Sequence, residues 1–358
     1  MTDRLNKLRS QLATKGLDAF LVSQAENRRY LSGFTGSAGF LLISQQKAIL
    51  ATDFRYVEQA QAQAPAFEVV QIQGEIVKWF PRIASELDAR KLGFEGKSIS
   101  FSTYKELADA LSDTKTKISL IPTDGVVESL RAVKDNDELK LIEKAAGLAD
   151  AALEYIIPRI KPGASEKEIA WDIENFLRRN GSEPVPFELI VASGFNSAMP
   201  HARPTDRAIR QGEPVVIDIG ATVEGYTSDI TRTICLGNSD SMFNKVYDIV
   251  LGAQLTAMAT LQIGMTGEQV DRLARTVIEQ AGYKDAFGHG LGHGVGLATH
   301  EGPRLGTSSA DILADGMVFT IEPGVYISGW GGVRIEDMVV LEEGKVRPLT
   351  KAKKVWRP

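Results

Sequence analysis

The sequence predicts an α/β protein, α+β in its second half, with a small α/β domain over residues 1–125 and a larger domain over 126–358. Three observations carry this expectation. Short apolar strands alternate with helical patterns up to about residue 125. Two later segments, VVIDIGATVEGYTSDITRT and VFTIEPGVYISGWGGVRIEDMVV, each read as a β-rich run, a glycine-containing turn and a second β-rich run, the pattern of a hairpin. Finally, IKPGASEKEIAWDIENFLRRNG and LQIGMTGEQVDRLARTVIEQAG align without gaps, Gly163 on Gly264 and Ser165 on Thr266.

From the N-terminus, MTDRLNKLRSQLATKGLDAFLVS is an amphipathic helix followed by a strand, without the continuous apolar core of a signal peptide. DAFLVS, GFLLIS, KAILATD, FEVVQI, KLGFEG and KISLIP have the apolar, β-branched character of strands. The stretches around YVEQAQAQ, IVKWFPRIASEL and TYKELADAL carry helical periodicity. A joint is expected near Thr123–Gly125, and a helix from about Asp137 to Ile157 opens the second domain. Within the repeat, Ser165 to Glu168 and Thr266 to Gln269 have the spacing of capping boxes, so each copy should start a helix there. Each helix leads, through a loop containing histidine, into one acidic hairpin. A pseudo-twofold arrangement would bring both hairpins to one centre.

Composition excludes several classes of function. A net charge of −5 gives no basic footprint for nucleic acid, and no apolar run approaches membrane-spanning length. Cys235 is the single cysteine, so no intrachain disulfide can form, and a reducing, cytoplasmic setting is expected. Two local resemblances fail on inspection. Gly96-Lys97-Ser98 ends like a phosphate-binding loop, but Lys91 stands where the first glycine belongs. Thr35-Gly36-Ser37-Ala38-Gly39 approaches a nucleophile elbow, but starts with threonine.

The acidic residues of the hairpins carry the chemistry. If Asp218 and Asp229 pair about Val223–Glu224, and Glu322 and Glu336 about Gly329, each hairpin holds two acids near one another on one face. A lone carboxylate on a strand is ordinarily solvated. Four of them, flanked by Val and Ile in matched hairpins, oppose like charge to like charge and need a partner. Four carboxylates balance two divalent cations, and a neutral imidazole can complete the ligand set. All four histidines lie between 201 and 300: His201, His289, His293 and His300. Three fall in GHGLGHGVGLATHEGP, where five glycines between 288 and 296 argue against a helix, so His289 and His293 are not a helical zinc motif. These glycines would instead let backbone lie close to a ligand or to other strands. Oxygen-dominated ligation with one nitrogen suits Mn, Co, Fe or Zn.

The stretches SGFNSAMPHARPTD, IDIGATVEGYTSDITRT, GHGLGHGVGLATHEGP, TIEPGVY and GGVRIEDMVV together resemble the M24, or pita-bread, metallopeptidases, in the branch that cleaves Xaa-Pro bonds. RYLSGFTGSAGF and ATDFRY extend the resemblance into the first half, which is similar to a creatinase-like N-terminal domain of the aminopeptidase P form. The resemblance implies a pseudo-twofold catalytic domain with two divalent ions, manganese foremost. Asp218, Asp229, His293, Glu322 and Glu336 would be the ligands, and Asp229 and Glu336 would bridge the ions. His201 and His300 correspond to the family's histidines near the substrate. In that family the N-terminal domain covers the cleft, often across a homodimer, and helps restrict substrate length.

A mechanism follows as an expectation. Two ions sharing a water would supply hydroxide near neutral pH. His201 or His300 would stabilise the oxyanion, and Glu322 would carry a proton from the nucleophile to the leaving nitrogen. Arg334 could hold a carboxylate of the ligand set, Arg304 could meet a substrate carboxylate, and His289 could support the loop or the substrate. Arg304 points to an Xaa-Pro dipeptidase (prolidase), the N-terminal motifs to an Xaa-Pro aminopeptidase, and the aminopeptidase is the expectation taken forward. A third reading, a pita-bread module that binds proteins without catalysis, would be expected to lose ligands and carry charged tails. This chain keeps all five ligand types and ends at KKVWRP.

Overall fold

The computed structural model describes residues 2–112 and 117–355, so the last three residues of KKVWRP lie outside it. These residues form two compact units that meet between Arg131 and Ala132. The first contains α1 (Thr2–Thr14), β1 (Ala19–Val22), α2 (Ala25–Ser32), β2 (Phe40–Ser44), β3 (Ala48–Thr52), α3 (Val57–Gln63), β4 (Glu68–Gln71), α4 (Ile76–Ser85), β5 (Lys91–Glu95), α5 (Phe101–Ser112), β6 (Ser119–Thr123) and α6 (Glu128–Ala132). Its six strands form one mixed sheet in the order β4-β3-β2-β1-β5-β6. All six strands expected from the sequence are present, because each is an apolar run whose side chains enter a core that includes Leu21, Leu42, Ile49, Phe80 and Ile83. Burying each such side chain contributes roughly 1.5–3 kcal/mol.

The division falls beyond Gly125 for a visible reason. Asn27 on α2 donates to Glu128 (2.7 Å) and accepts from Arg131 Nη1 (2.8 Å), and Tyr30 OH donates to the Leu130 carbonyl (3.2 Å). These bonds tie α6 to the first unit. Helix α2 contains the start of RYLSGFTGSAGF, and Gly33 follows it with a φ of 77°, closing the helix as a left-handed cap.

The second unit contains α7 (Asn136–Ile156), α8 (Glu166–Arg179), β7 (Ile190–Ser193), β8 (Pro214–Ile219), β9 (Thr222–Val223), β10 (Tyr226–Thr227), β11 (Ile230–Cys235), α9 (Ser241–Thr260), α10 (Gly267–Gln280), β12 (Gly292–Gly294), β13 (Glu301–Leu305), β14 (Val318–Ile321), β15 (Gly324–Ile327), β16 (Gly331–Arg334), β17 (Asp337–Glu342) and β18 (Lys345–Pro348). The repeat is structural. Both capping boxes form, Ser165 with Glu168 and Thr266 with Gln269. Aligned positions are buried alike: Ile169, Ile173 and Leu177 on α8 match Val270, Ala274 and Ile278 on α10. The turn before each helix is bonded to the segment leading into its hairpin in the same way, Gly163 N–H to the Ile209 carbonyl and Gly264 N–H to the Leu313 carbonyl, both 2.9 Å. The sheet order β11-β8-β7 recurs as β17-β14-β12.

Register decides where the acids fall. β14 pairs with β17 (Ile321↔Asp337) and β15 with β16 (Gly324↔Arg334), so the intervening Glu322 and Glu336 face each other, as expected for a turn about Gly329. The first hairpin needs a correction. Asp218 pairs with Thr231 and Val223 with Tyr226, so continuing the register sets Asp229 opposite Gly220 and makes Asp218 and Asp229 diagonal neighbours. The turn is centred on Glu224–Gly225, whose φ values of 46° and 73° are both positive, one residue later than the sequence reading placed it.

The glycine-rich segment is extended, and its strand β12 lies between β13 and β14. Its glycines are close-approach positions. A Cβ at Gly290 would lie 2.6 Å from the Leu305 carbonyl oxygen, and one at Gly292 or Gly294 would collide with the Thr320 or Gly302 carbonyl. Gly294→Ala should therefore lower stability by about 1–3 kcal/mol, read from urea unfolding. An unchanged midpoint would show that these strands can spread.

Candidate metal centre

The ten side chains singled out from the sequence, His201, Asp218, Asp229, His289, His293, His300, Arg304, Glu322, Arg334 and Glu336, all line one cavity of about 820 Å³ in the second unit. Asp218, Asp229 and Glu336 are buried; Glu322 and His293 are half-buried. One ligand atom each from Asp229, His293 and Glu336 lies within 4.8 Å of the others. His293 Nε2 is 3.3 Å from Glu322 Oε1 and 3.7 Å from Asp229 Oδ2. His300 and His201 are exposed, and the His300 ring tilts against His293 with centroids 3.9 Å apart.

A layer of polar side chains holds the acids in place. Arg334 Nη2 donates to Asp218 Oδ2 at 2.6 Å, Arg334 Nε donates to Thr231 Oγ1 at 3.0 Å, and Thr231 Oγ1 in turn donates to Glu336 Oε2 at 2.6 Å. Arg334 Nη1 also donates to the Tyr326 hydroxyl (2.8 Å), which meets His289 Nε2 at 2.9 Å. Thr320 Oγ1 donates to Glu322 Oε1 (3.0 Å) and accepts the His293 N–H (3.1 Å). His289 is thus held in the cavity wall between Tyr326 and the Gly290 carbonyl. Thr231, Thr320 and Tyr326 were not singled out from the sequence. Strand parity carried the signal: Thr320, Glu322 and Tyr326 alternate onto one face, as do Asp229 and Thr231.

Arg304 lies on β13, directly across from His293 in register, and its side chain is exposed. Its backbone N–H is held by Asp311 Oδ2 (2.8 Å), while its guanidinium has no ion-pair partner among the described residues. Arg275, on α10, also reaches the cavity; it is paired with Asp271 and donates to the Phe287 and His289 carbonyls.

Burial pushes the Asp218, Asp229 and Glu336 carboxyls up, and facing carboxylates add to the effect: Asp229 feels Glu336, Asp218 and Glu322. Glu322 is the exception. Burial is the largest single effect and works against its ionisation too, but the His293 contact together with the charges of His289 and Arg334 outweighs it and holds the carboxyl at about 2. His293 is raised by the same contact against the opposing effect of burial, and burial lowers His289 and His300.

The donors fit a divalent cation. Asp218 Oδ1 is buried without a hydrogen-bond partner among the described residues, and the convergent carboxylates need more positive charge than Arg334 supplies. Hard oxygen donors with one imidazole match Mn, Co, Fe or Zn. A stability consequence follows. Carboxyls with raised folded pKa values keep protons that unfolded carboxyls, with pKa near 4, release, so the chelated protein loses stability as pH rises above about 4. The loss should be roughly 1.4 kcal/mol per pH unit for each carboxyl still protonated in the fold. Melting temperatures of chelated protein should fall from pH 5 to pH 8, and saturating Mn should remove most of that slope. A chelated protein with no such slope would mean that these acids are not repelling one another.

Comparison with known proteins gives the family. The model for metallopeptidase family M24 matches residues 140–343, and that for the creatinase/prolidase N-terminal domain matches residues 4–133. The solved Xaa-Pro dipeptidase from Bacillus anthracis is 42% identical, with a TM-score of 0.95 over 99% of both chains. The Xaa-Pro dipeptidase of Pyrococcus furiosus is 37% identical over 99% of both chains. The solved X-Pro aminopeptidase from Thermotoga maritima is 36% identical, with a TM-score of 0.87, over 98% of this chain and 100% of the other.

Proposed function

The chain belongs to metallopeptidase family M24, and from that premise we propose that it hydrolyses the bond between an N-terminal residue and proline, with Xaa-Pro dipeptides as its main substrates. The observation that carries the dipeptide reading is Arg304, a guanidinium without an ion-pair partner among the described residues, in the same cavity as the acids and across the strand pair from His293. A dipeptide presents a carboxylate directly after the scissile bond, and Arg304 would bind it. This departs from the aminopeptidase expected from the N-terminal motifs. Likeness to the Xaa-Pro dipeptidases of B. anthracis and P. furiosus supports the change. The aminopeptidase remains the second reading, favoured by RYLSGFTGSAGF, ATDFRY and likeness to the T. maritima X-Pro aminopeptidase.

In this reading Asp218, Asp229, His293, Glu322 and Glu336 would hold the divalent metal. Such ions supply the charge that brings the pKa of a water near neutrality. Glu322 would take a proton from the attacking water on a carboxylate oxygen and deliver it to the departing proline nitrogen. His201 and His300, on the open side of the cavity, donate to the carbonyl oxygen as charge grows on it. Arg334 fixes Asp218, and Thr231 fixes Glu336. The reading extends to manganese, on the oxygen-rich donor set, and to a reducing cytoplasmic setting, on the single buried Cys235. The family resemblance extends it further to a homodimer.

The test is hydrolysis of a paired Xaa-Pro dipeptide and Xaa-Pro-Yaa tripeptide by chelated enzyme resupplied with Mn, Co or Zn. Metal-dependent cleavage with strong preference for the dipeptide supports the dipeptidase. Comparable cleavage of the tripeptide turns the reading to the aminopeptidase, and no cleavage by metal-loaded protein sinks both. Arg304→Ala should cost about 2 kcal/mol in kcat/KM for the dipeptide, near thirtyfold, by removing a charge-assisted bond. Its effect on the tripeptide should stay within about threefold, and an equal loss on both substrates would remove Arg304 from carboxylate recognition. Asp229→Asn should abolish hydrolysis yet leave the chelated protein at least as heat-stable as the unaltered chain, because it removes a repelled acid. Protein binding by a non-catalytic module would survive the same change.

A further inference from the structure

Behind the two acidic hairpins, on the side away from the cavity, lies a second polar cluster that the reaction does not use. Arg232 follows Asp229 on β11 with opposite parity, and Asp337 follows Glu336 in the same way, so both point away from the acids. Both are buried, and they pair across the hairpins, Arg232 Nη2 to Asp337 Oδ1 at 2.7 Å. Arg232 Nη1 also donates to the backbone carbonyls of Thr231 (2.9 Å) and Glu336 (2.5 Å). One guanidinium therefore grips both residues of the Thr231–Glu336 contact from behind.

The carboxyl-terminal segment, residues 349–354, closes over this pair. Arg232 Nε and Nη2 donate to the Ala352 carbonyl (3.1 and 2.6 Å), and Thr350 Oγ1 donates to Asp337 Oδ1 (2.8 Å). Lys354 Nζ lies 2.5 Å from Asp337 Oδ2, an oxygen that also accepts from Gln254 Nε2 (3.1 Å). The segment is itself anchored to α7, where the Asp150 carboxylate accepts the N–H groups of Lys351 (2.7 Å) and Ala352 (2.8 Å). An irregular chain end thus supplies a carbonyl, a hydroxyl and an ammonium to the pair that joins the hairpins.

We propose that this segment is a clamp that sets the spacing of the two acidic hairpins, with Arg232, Asp337, Lys354 and Asp150 as positioning residues for divalent-cation binding. The proposal rests on the reading of the cavity as a metal centre. A buried ion pair missing one of its supporting charges loosens, and the Glu336 carboxylate, one residue from Asp337, then loses its fixed distance from the acids of the first hairpin. Loss of outer partners of this kind commonly weakens metal affinity about 10–100-fold.

The experiment is calorimetric titration of the chelated full chain with MnCl₂, for the unaltered protein and for Lys354→Met, Lys354→Arg and Asp150→Asn, well below each protein's melting temperature. The clamp requires Lys354→Met and Asp150→Asn to bind Mn about tenfold more weakly, and Lys354→Arg to restore most of the affinity. With excess Mn, kcat for an Xaa-Pro dipeptide should recover while KM stays within about twofold of the unaltered enzyme. Unchanged Mn affinity beside a lowered melting temperature would reduce the segment to ordinary packing and overturn the proposal. Because affinity is read without substrate, an unaltered chain inactive on Xaa-Pro dipeptides would count against the proposed function alone.

Discussion

Four carboxylates converging on one cavity, three of them buried, constitute the constraint around which the second unit is organised. Burial alone opposes their ionisation, and their proximity adds to it, so Asp229 and Glu336 are pushed well above the usual carboxylate range. A fold that brings such groups together must spend other interactions to do so. The chain does this with strands that pack on both faces, with Arg334 bonded to Asp218, and with Thr231 bridging Arg334 to Glu336. A buried charge whose partner is removed costs several kcal/mol, so these partners and the acids stand or fall together.

The internal repeat shows how the convergence is built. Corresponding helices α8 and α10 begin with the same caps, and the turns before them are tied to the segments leading into corresponding hairpins by corresponding backbone bonds. Two copies of one supersecondary unit, facing each other, place an acid from each on either side of a shared centre. The copies then diverge where the chemistry is asymmetric. In the second copy β12, the counterpart of β7, is glycine-rich and gains a further partner in β13, so that this pair carries His293 and Arg304 to the cavity. The first copy instead buries Glu166, which accepts from Ser193, Asn196 and Thr205 and fixes the loop that carries His201.

Much of this was legible in the sequence, for reasons that differ element by element. The six strands of the first unit were visible as apolar runs, and α8 and α10 through their capping boxes and shared spacing. The Glu322–Glu336 register was readable because one glycine, Gly329, marks the centre of its turn. The Asp218–Asp229 register was off by a residue at the turn because Glu224 adopts a positive φ that glutamate rarely takes, so nothing in the sequence favoured Glu224–Gly225 as the central pair. Residues acting through other residues were the least visible. Thr231 and Tyr326 are ordinary strand residues until parity and partner are known, and Arg232 became distinctive only through its burial.

The division of faces on the two hairpins explains why this centre can hold like charges without unravelling. On the cavity side the acids repel, and a cation is the natural remedy. On the opposite side Arg232 and Asp337 attract, in a setting where little solvent screens them. Neighbouring residues on one strand thus carry opposed tasks: Glu336 and Asp337 are consecutive, yet one strains the hairpins apart and the other holds them together. Because parity alone separates the two roles, a one-residue slip of β17 would turn Asp337 into the cavity and bury Glu336 beside Arg232. The Arg232–Asp337 pair, the bonds from Arg232 to the Thr231 and Glu336 carbonyls, and the Thr231–Glu336 contact all oppose that slip. The charge pattern that makes the cavity chemically useful is therefore the same pattern that fixes its register.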